Sequence, residues 1–159
     1  MEMFDEPDTS VTNLVLVDAM NEMLKTDHDG KVSRESYIAF AKELLAARLL
    51  LPVNTENSPG KSNDILILSK DIKISFRYIS DDHGQRYIPA FTTRHELLLW
   101  NSVVDQKVLF LSFGDLEYLL NKDGGYVIVI NPGTLNCVID RYHLKQIRVI
   151  TKKQEEIRR

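Results

Sequence analysis

A polar segment between two apolar stretches has the outline of a calcium-binding loop. It runs from Lys25 to Ser36, with Gly30 at the sixth position and Val32 at the eighth. A calcium loop needs a carboxylate at its first position and a bidentate Glu at its twelfth, because the ion takes roughly six to eight oxygen ligands. Those positions hold Lys25, a cation, and Ser36, whose side chain is too short to chelate. The segment therefore predicts a polar connection between two helices.

The histidines and the single cysteine lack the spacing of a metal site. A zinc-protease helix would need a second His four residues after His95, where Leu99 stands. The four histidines lie in separate segments, at His28, His83, His95 and His143. The apolar neighbours of Cys137 indicate a buried structural thiol. We expect no metal and no cofactor.

The short motifs of nucleophilic and phosphate chemistry are also missing from the sequence. The Ser112–Gly114 segment does not form a Gly-x-Ser-x-Gly elbow. The Gly124-Gly125 pair lacks the preceding strand and the Lys of a phosphate-binding loop. The Asp81–His83 segment could supply acid-base groups, but adjacent polar residues in a turn are usually turn formers. We therefore expect a non-enzymatic protein, with a small enzyme whose site forms only on folding as the alternative.

Composition and net charge narrow the classes of protein. With 159 residues, 43% of them hydrophobic and a net charge of −3, the chain has the size of one globular domain and is not a generally basic nucleic-acid binder. We expect its acidic start not to be a signal peptide, and no apolar run reaches the roughly 18 residues of a membrane helix. We expect a cytoplasmic protein with no membrane partner, for which nucleic acid is an unfavoured ligand.

The charges are nevertheless distributed unevenly. Residues 1–30 are acidic, whereas residues 140–159 are basic. A basic face facing an acidic partner or nucleic acid could be formed by Lys145, Arg148, Lys152, Lys153, Arg158 and Arg159. A solvated helix with a frayed end explains the same pattern.

Helical spacing predicts two N-terminal helices. The first would be capped by Thr9, Ser10 or Thr12. Its apolar face would consist of Leu14, Val15, Val17, Met20, Met23 and Leu24. The second would begin at Ser33, a partial capping box. Its buried face would consist of Tyr37, Ile38, Phe40, Ala41, Leu44, Leu45 and Ala47.

The middle of the chain predicts strands. A run at 48–53 reads as a strand ended or edged by Pro52, and residues 54–64 read as a surface loop. Apolar residues alternate with polar ones from Ile72 to Tyr78, the pattern of a half-buried strand. Across the turn at Asp81–Gly84, the segment Arg86–Phe91 would be its hairpin partner.

The last third alternates between helices and strands. It begins with a helix capped by Thr92 or Thr93, with Glu96 reaching back to the helix start, and continues with a strand at 108–111 and a helix from Ser112 or Asp115. A strand at 126–130 then leads into a type II turn at Asn131–Gly133. A strand at 135–139 and a helix from Asp140 complete the predicted order. This order predicts an α/β (α+β) fold, a single compact domain over 1–159 with a mixed β-sheet flanked by helices. Residues 1–9 and 152–159 would be frayed tails.

Four segments in this order resemble the SseB protein N-terminal domain family. They are Leu44–Val53, Tyr87–Leu97 with Trp100, Ser112–Leu116 and Ile128–Gly133. The resemblance covers roughly residues 13–139. It implies a compact α/β domain associated with serine sensitivity in bacteria, without an established enzymatic activity.

A ligand of such a domain would be expected where strands end. The candidate binding residues are Thr92, Asn131, Pro132 and Gly133, although capping and turn formation explain the same residues. The sequence thus favours a regulatory or binding module for a protein or a small molecule. Self-association through the acidic first helix or a sheet edge near Pro52 is a further alternative.

Overall fold

The structure is a computed structural model that describes residues 10–25, 30–53, 63–67, 73–102, 107–122 and 126–158. The described helices are α1 Ser10–Leu24, α2 Arg34–Ala46, α3 Arg94–Trp100, α4 Phe113–Lys122 and α5 Arg141–Arg158. The described strands are β1 Leu49–Val53, β2 Asn63–Ile67, β3 Lys73–Arg77, β4 Ile79–Ser80, β5 Arg86–Ala90, β6 Lys107–Leu111, β7 Tyr126–Ile130 and β8 Cys137–Ile139.

The strands form two four-stranded sheets that meet at β1. One sheet has the order β2-β3-β1-β6 and the other has the order β4-β5-β7-β8. They are joined where Leu50 and Phe91 exchange two backbone hydrogen bonds, of 2.8 and 2.9 Å. Strands β5 and β7 are parallel, and the other pairs are antiparallel. The α+β class with mixed pairing is therefore confirmed.

Alternation along β1 and β6 divides the core into two parts. Leu49 and Leu51 point into the main core, which also takes buried residues from α1, α2, α4 and α5. Leu50 points to the opposite face, into a smaller cluster that holds Phe91 and the α3 residue Leu97. Successive strand residues face opposite sides, so a run of apolar residues such as β1 is buried on both.

Several helix starts match their predicted caps. Ser33 caps α2, since its Oγ accepts from Ser36 N at 3.4 Å. Ser112 and Asp115 cap α4 reciprocally: Ser112 N donates to Asp115 Oδ2 at 2.9 Å, and Asp115 N donates to Ser112 Oγ at 3.2 Å. Each bond satisfies an N–H group that has no partner within the helix.

The buried face of α1 differs from the predicted face. Leu16, Met20 and Met23 are buried, together with the polar residue Asn13. The predicted members Leu14, Val15 and Leu24 are instead exposed, by 43–58%. The helix thus turns an Asn inward, a residue that the predicted apolar face does not include.

Two strand predictions are also wrong in detail. The antiparallel partner of β5 is the two-residue strand β4, whereas β3 belongs to the other sheet and pairs with β2 and β1. Pro52 lies inside β1 and is buried, opposite Val108 of β6, so it marks no sheet edge. Backbone N–H groups two residues apart in a strand point to the same edge, so the nitrogen of Pro52 faces the edge at which Leu50 bonds Phe91. Along this edge the pairing of β1 passes from Phe91 to β3, and a residue without an N–H fits between the two partners.

The ends of the chain differ from the prediction as well. Helix α5 continues to Arg158, so residues 152–158 belong to it rather than to a frayed tail. Strand β8 starts only at Cys137, because Asn136 before it has a φ of 52°. Residues 1–9 and most of the predicted loop at 54–64 lie outside the described residues.

Candidate functional site

Two strand ends meet at a buried polar junction. Strands β5 and β7 run parallel with Ala90 opposite Ile130, so the residues that follow them, Phe91–Thr92 and Asn131, emerge at the same edge. Asn131 and Thr92 are both fully buried. Asn131 Oδ1 accepts from Thr92 N at 3.0 Å, and Asn131 Nδ2 donates to Thr92 Oγ1 at 2.9 Å. The two side chains therefore satisfy each other.

Asn13, on the distant helix α1, is the third polar residue of this junction. Its Nδ2 donates to the carbonyl of Arg48 at 3.0 Å and also to the carbonyl of Thr92. Its Oδ1 is buried and has no hydrogen-bond partner among the described residues. One amide thus links α1, the residue before β1 and the end of β5. Sequence reasoning missed Asn13, although a lone Asn at helical spacing from Leu16 and Met20 was a usable signal.

The loop after β7 has the predicted turn. Thr134 N donates to the Asn131 carbonyl at 3.2 Å and Gly133 has a φ of 88°, which are the features of a type II turn with Pro132 at its second position. Asn136 N donates to the same carbonyl at 3.0 Å. Asn131 itself has a φ of 53°, a left-handed conformation that Asn tolerates better than most residues.

Helix α3 is tied to this loop. Thr93 is its N-cap, with Oγ1 accepting from Glu96 N at 3.2 Å. The carboxylate of Glu96 accepts from the Thr134 hydroxyl at 2.8 Å. Glu96 thus connects two segments distant in sequence, a role beyond the local cap that its position predicted.

The four predicted binding residues are therefore brought together, but in a mainly structural setting. Thr92 and Asn131 direct their polar atoms at each other, Pro132 is buried, and Gly133 is exposed at the turn. Their role in ligand binding stays a prediction.

A surface pocket lies at the opposite end of the same two strands. It has a volume of about 280 Å³ and is open to solvent. Its lining comes from the start of β5, α4, the start of β7 and the start of α5: Gln85, Leu120, Tyr126, Val127, Asp140, Arg141 and Tyr142. Strand β8 runs antiparallel to β7, with Ile139 opposite Ile128, and so delivers α5 to the amino end of β7. Local patterns carried no signal for this pocket, because it depends on how the strands pair.

An arginine contacts Tyr126, an aromatic residue of the pocket lining. The Arg86 guanidinium lies 5.1 Å from the centre of the Tyr78 ring and 5.7 Å from that of Tyr126. Arg86 Nη1 also donates to the Tyr126 hydroxyl at 3.2 Å. Stacking of a guanidinium on aromatic faces is attractive through the ring quadrupole. The orientation of Tyr126 is thus defined by Arg86.

Asp140, in the pocket wall, caps α5. Its Oδ1 accepts from His143 N at 2.9 Å and lies 2.6 Å from His143 Nδ1. Desolvation raises the pKa of Asp140, but hydrogen bonds from His143 and Tyr142 and the electrostatic interaction with His143 outweigh that effect and lower the pKa below its ordinary value. The arrangement stabilises a carboxylate at the helix start.

The other residues that suggested chemistry lie apart from the pocket lining. Cys137 is buried as predicted, and desolvation raises its pKa to about 12. His95 is exposed on α3. In the Asp81–Gly84 turn, Asp81 Oδ1 accepts from His83 N and Gln85 N, both at 2.9 Å, which confirms the turn. Residues 26–29 of the calcium-like segment lie outside the described residues.

Two properties hold for the described part of the chain. No group of three or more His, Cys, Asp or Glu side chains there could hold a metal ion. No helix there has the length and apolar character needed to cross a membrane.

Comparison with known proteins identifies the family. No curated protein and no solved structure matches the chain. The sequence model of the SseB protein N-terminal domain matches residues 21–146, a range that contains both the junction at Asn131 and the pocket at Tyr126. This range covers most of the chain and includes the four segments that carry the resemblance. The chain belongs to the SseB protein N-terminal domain family.

Proposed function

We propose that this chain is a non-enzymatic binding module that docks a protein partner, with the pocket between β7 and α5 as its anchor point. The observation that carries the proposal is the pocket itself, whose rim combines Tyr126, Arg141 and Tyr142. Tyr and Arg are the residue types that most often dominate the binding energy of protein interfaces.

The size of the pocket favours a protein partner over a free small molecule. Pockets for drug-sized ligands and cofactors usually have volumes of roughly 300–1,000 Å³ and enclose most of the ligand. A volume of about 280 Å³ lies at the lower edge of that range, and the pocket is open to solvent rather than enclosing. It suits the insertion of one anchoring side chain, while the rest of the partner lies on the surrounding surface.

The rim residues of the pocket are also accessible to a partner. Tyr142 is 64% exposed and Arg141 is exposed, so both can reach a partner without a change in the fold. Tyr126 is already fixed by Arg86. Fixing an aromatic side chain before binding reduces the entropy lost on association.

The test is affinity capture from an extract of the source organism with the wild type, a Tyr142→Ala variant and a Tyr118→Ala control. Tyr118 is also an exposed tyrosine but lies on α4, outside the pocket lining. We expect any partner that is captured and then purified to bind Tyr142→Ala about tenfold or more weakly, as for a hot-spot tyrosine, and to bind Tyr118→Ala like the wild type. Equal affinity for all three proteins would overturn the proposal.

A thermal-shift screen of amino acids and nucleotides accompanies the capture. If a small molecule stabilises the wild type but not Tyr142→Ala, the pocket is a small-molecule site and the protein-docking proposal is wrong. If no partner is enriched and no compound stabilises the chain, a binding module of either kind is wrong.

A second candidate function is a small enzyme. It is favoured by one contact, the 2.6 Å approach of His143 Nδ1 to the pocket carboxylate Asp140. An Asp–His pair can serve general acid-base catalysis. Turnover of a bound compound that is lost in His143→Gln, with binding retained, would support the enzyme over the binding module.

A further inference from the structure

We infer that the partner docked at this pocket presents an acidic segment that lies along α5, with its carboxylates on a basic stripe of that helix. This inference rests on the proposed function. The stripe is defined by Arg141, Lys145, Arg148 and Lys152.

Helical geometry aligns the stripe. Its members recur at intervals of four, three and four residues, so they share one side of α5, and they span about 16 Å at about 1.5 Å per residue. A neighbouring side of the helix, formed by Leu144, Ile147 and Thr151, is buried in the domain, whereas all four stripe residues are exposed. The stripe therefore faces solvent and starts at Arg141, which lines the pocket.

Three of the four stripe cations are without an ion pair in the part of the chain that the structure describes. Arg148 is already engaged: its Nη2 lies 2.7 Å from Glu117 Oε1, and its guanidinium lies 4.8 Å from the centre of the Phe113 ring. Arg141, Lys145 and Lys152 are exposed, and among the described residues they form no ion pair. Unpaired cations along one helix face attract a ligand that carries several negative charges.

Nearby acidic residues limit the length of the basic stripe but do not neutralise its charge. Asp140 caps the helix and is bound to His143. Glu117 is occupied by Arg148. The exposed Glu155 and Glu156, three and four residues beyond Lys152, end the stripe. The basic region thus has a defined length, from the pocket to Lys152.

Apolar side chains border the basic stripe. Tyr142 and Val149 are exposed by 64% and 53% and are seven residues apart, two turns along the same side of α5. An occupant that suits this surface combines carboxylates with apolar residues. A helix of about 11 residues, or about five residues of extended chain, would cover it.

A polypeptide fits this surface better than a nucleic acid. Nucleic-acid binding depends on many cations along a track of phosphates. Here three cations that form no ion pair with a described residue stand beside Glu155 and Glu156, in a chain whose net charge is −3. The apolar border also has no counterpart in a phosphate backbone. An acidic polypeptide complements both features.

The test uses a fluorescent peptide of about 12 residues in which Glu and Leu recur at helical spacing. A second peptide replaces every Glu by Gln, and an oligothymidine of similar length is the third probe. Binding is measured by fluorescence anisotropy at low and high salt. We expect the acidic peptide to bind roughly fivefold or more tightly than the other two, with the advantage lost at high salt.

Matched charge reversals locate the binding. Lys145→Glu lies on the stripe, whereas Lys107→Glu makes the same change at an exposed position at the start of β6, outside α5. We expect Lys145→Glu to weaken the acidic peptide roughly fivefold or more and Lys107→Glu to weaken it less than about twofold. Equal effects, or tighter binding of the oligothymidine, would overturn the inference.

The outcomes separate this inference from the proposed function. A captured partner that loses affinity with Tyr142→Ala but not with Lys145→Glu leaves the pocket as the docking site and rejects the acidic segment. A partner that responds to Lys145→Glu but not to Tyr142→Ala supports the stripe and rejects the pocket.

Discussion

Asn131 holds Thr92 through both ends of its side-chain amide, with hydrogen bonds of 3.0 Å to the backbone N–H and 2.9 Å to the hydroxyl. This pair joins the ends of the parallel strands β5 and β7. Since Asn13 also donates to the carbonyl of Thr92, that one residue is bonded at its N–H, its hydroxyl and its carbonyl. The stability of the domain should therefore be sensitive to the Thr92 hydroxyl.

Thr92→Val tests that sensitivity. Valine has nearly the same shape but leaves Asn131 Nδ2 without its acceptor in a buried site, so we expect a loss of about 1–3 kcal/mol in the free energy of unfolding. The control is Thr151→Val, at another buried threonine, whose Oγ1 donates to the Ile147 carbonyl at 2.8 Å within α5. That carbonyl accepts a bond from the helix backbone as well, so the control should lose less than about 1 kcal/mol. Equal losses in urea unfolding would contradict the prediction.

Two glycines are expected to respond in opposite directions to alanine. Gly133 has a φ of 88° and open space around it, so Gly133→Ala should cost roughly 1 kcal/mol through backbone strain alone. Gly114 lies in the first turn of α4, and a Cβ there would meet only Ser112 Oγ at 3.8 Å. Gly114→Ala should therefore stabilise the domain by about 0.5–1 kcal/mol. Chemical denaturation checks both, and the same sign of change in the two variants would contradict the prediction.

Cys137 should be unreactive while the domain is folded. Burial raises the pKa of its thiol to about 12, so at pH 8 only about one thiol in 10⁴ is ionised. We expect an aromatic disulfide reagent to label the native protein far more slowly than the urea-unfolded protein. Fast native labelling would contradict the burial. Because the folded pKa is raised, this thiol should also reduce stability as the pH rises above its ordinary value of 9.0, a loss that should be absent in Cys137→Ala.

Asp140 should make stability depend on acid pH. The pKa of its carboxyl is lowered in the folded chain, so its contribution is present above the ordinary value of 3.8 and is lost as the pH falls through the folded value. Asp140→Ala should cost about 1 kcal/mol at pH 7, as for other helix caps. Asp140→Asn keeps a capping oxygen but cannot ionise. The stability difference between the wild type and Asp140→Asn should shrink from pH 7 to pH 3, measured by urea unfolding, and a constant difference would contradict the assigned cause.

Local patterns predicted the elements around the junction. The strand Tyr126–Ile130, the type II turn at Asn131–Gly133 and the cap at Thr93 each depend on residues close together in sequence, and the structure has all three. The family resemblance was carried by segments of the same kind. Sequence therefore predicted the fold class, the order of the later elements and the burial of Cys137.

Contacts between distant residues could not be predicted in this way. Asn13 and Thr92 are 79 residues apart, so the helical spacing of Asn13 from Leu16 indicates its side of α1 but does not identify its partner. Pro52 suggested an edge because the missing N–H was visible in the sequence, whereas the gap in pairing that accommodates it was not. The pocket at Tyr126 and Arg141 is formed by β8 returning along β7, a consequence of strand register alone.

The position of β1 between the two sheets has a consequence for synthesis on the ribosome. Strand β1 is made early, yet β6, Phe91 and β3, which flank it, all follow it in the chain. Strand β5 cannot pair with its parallel partner β7 until β7 has been synthesised. Pairing between strands so far apart in sequence is slow, because the segment between them must first close into a loop. The apolar faces of α1 and α2 thus emerge long before the strands that cover them. The growing chain should be a client of ribosome-associated chaperones until α5, which also packs on α2, has been released.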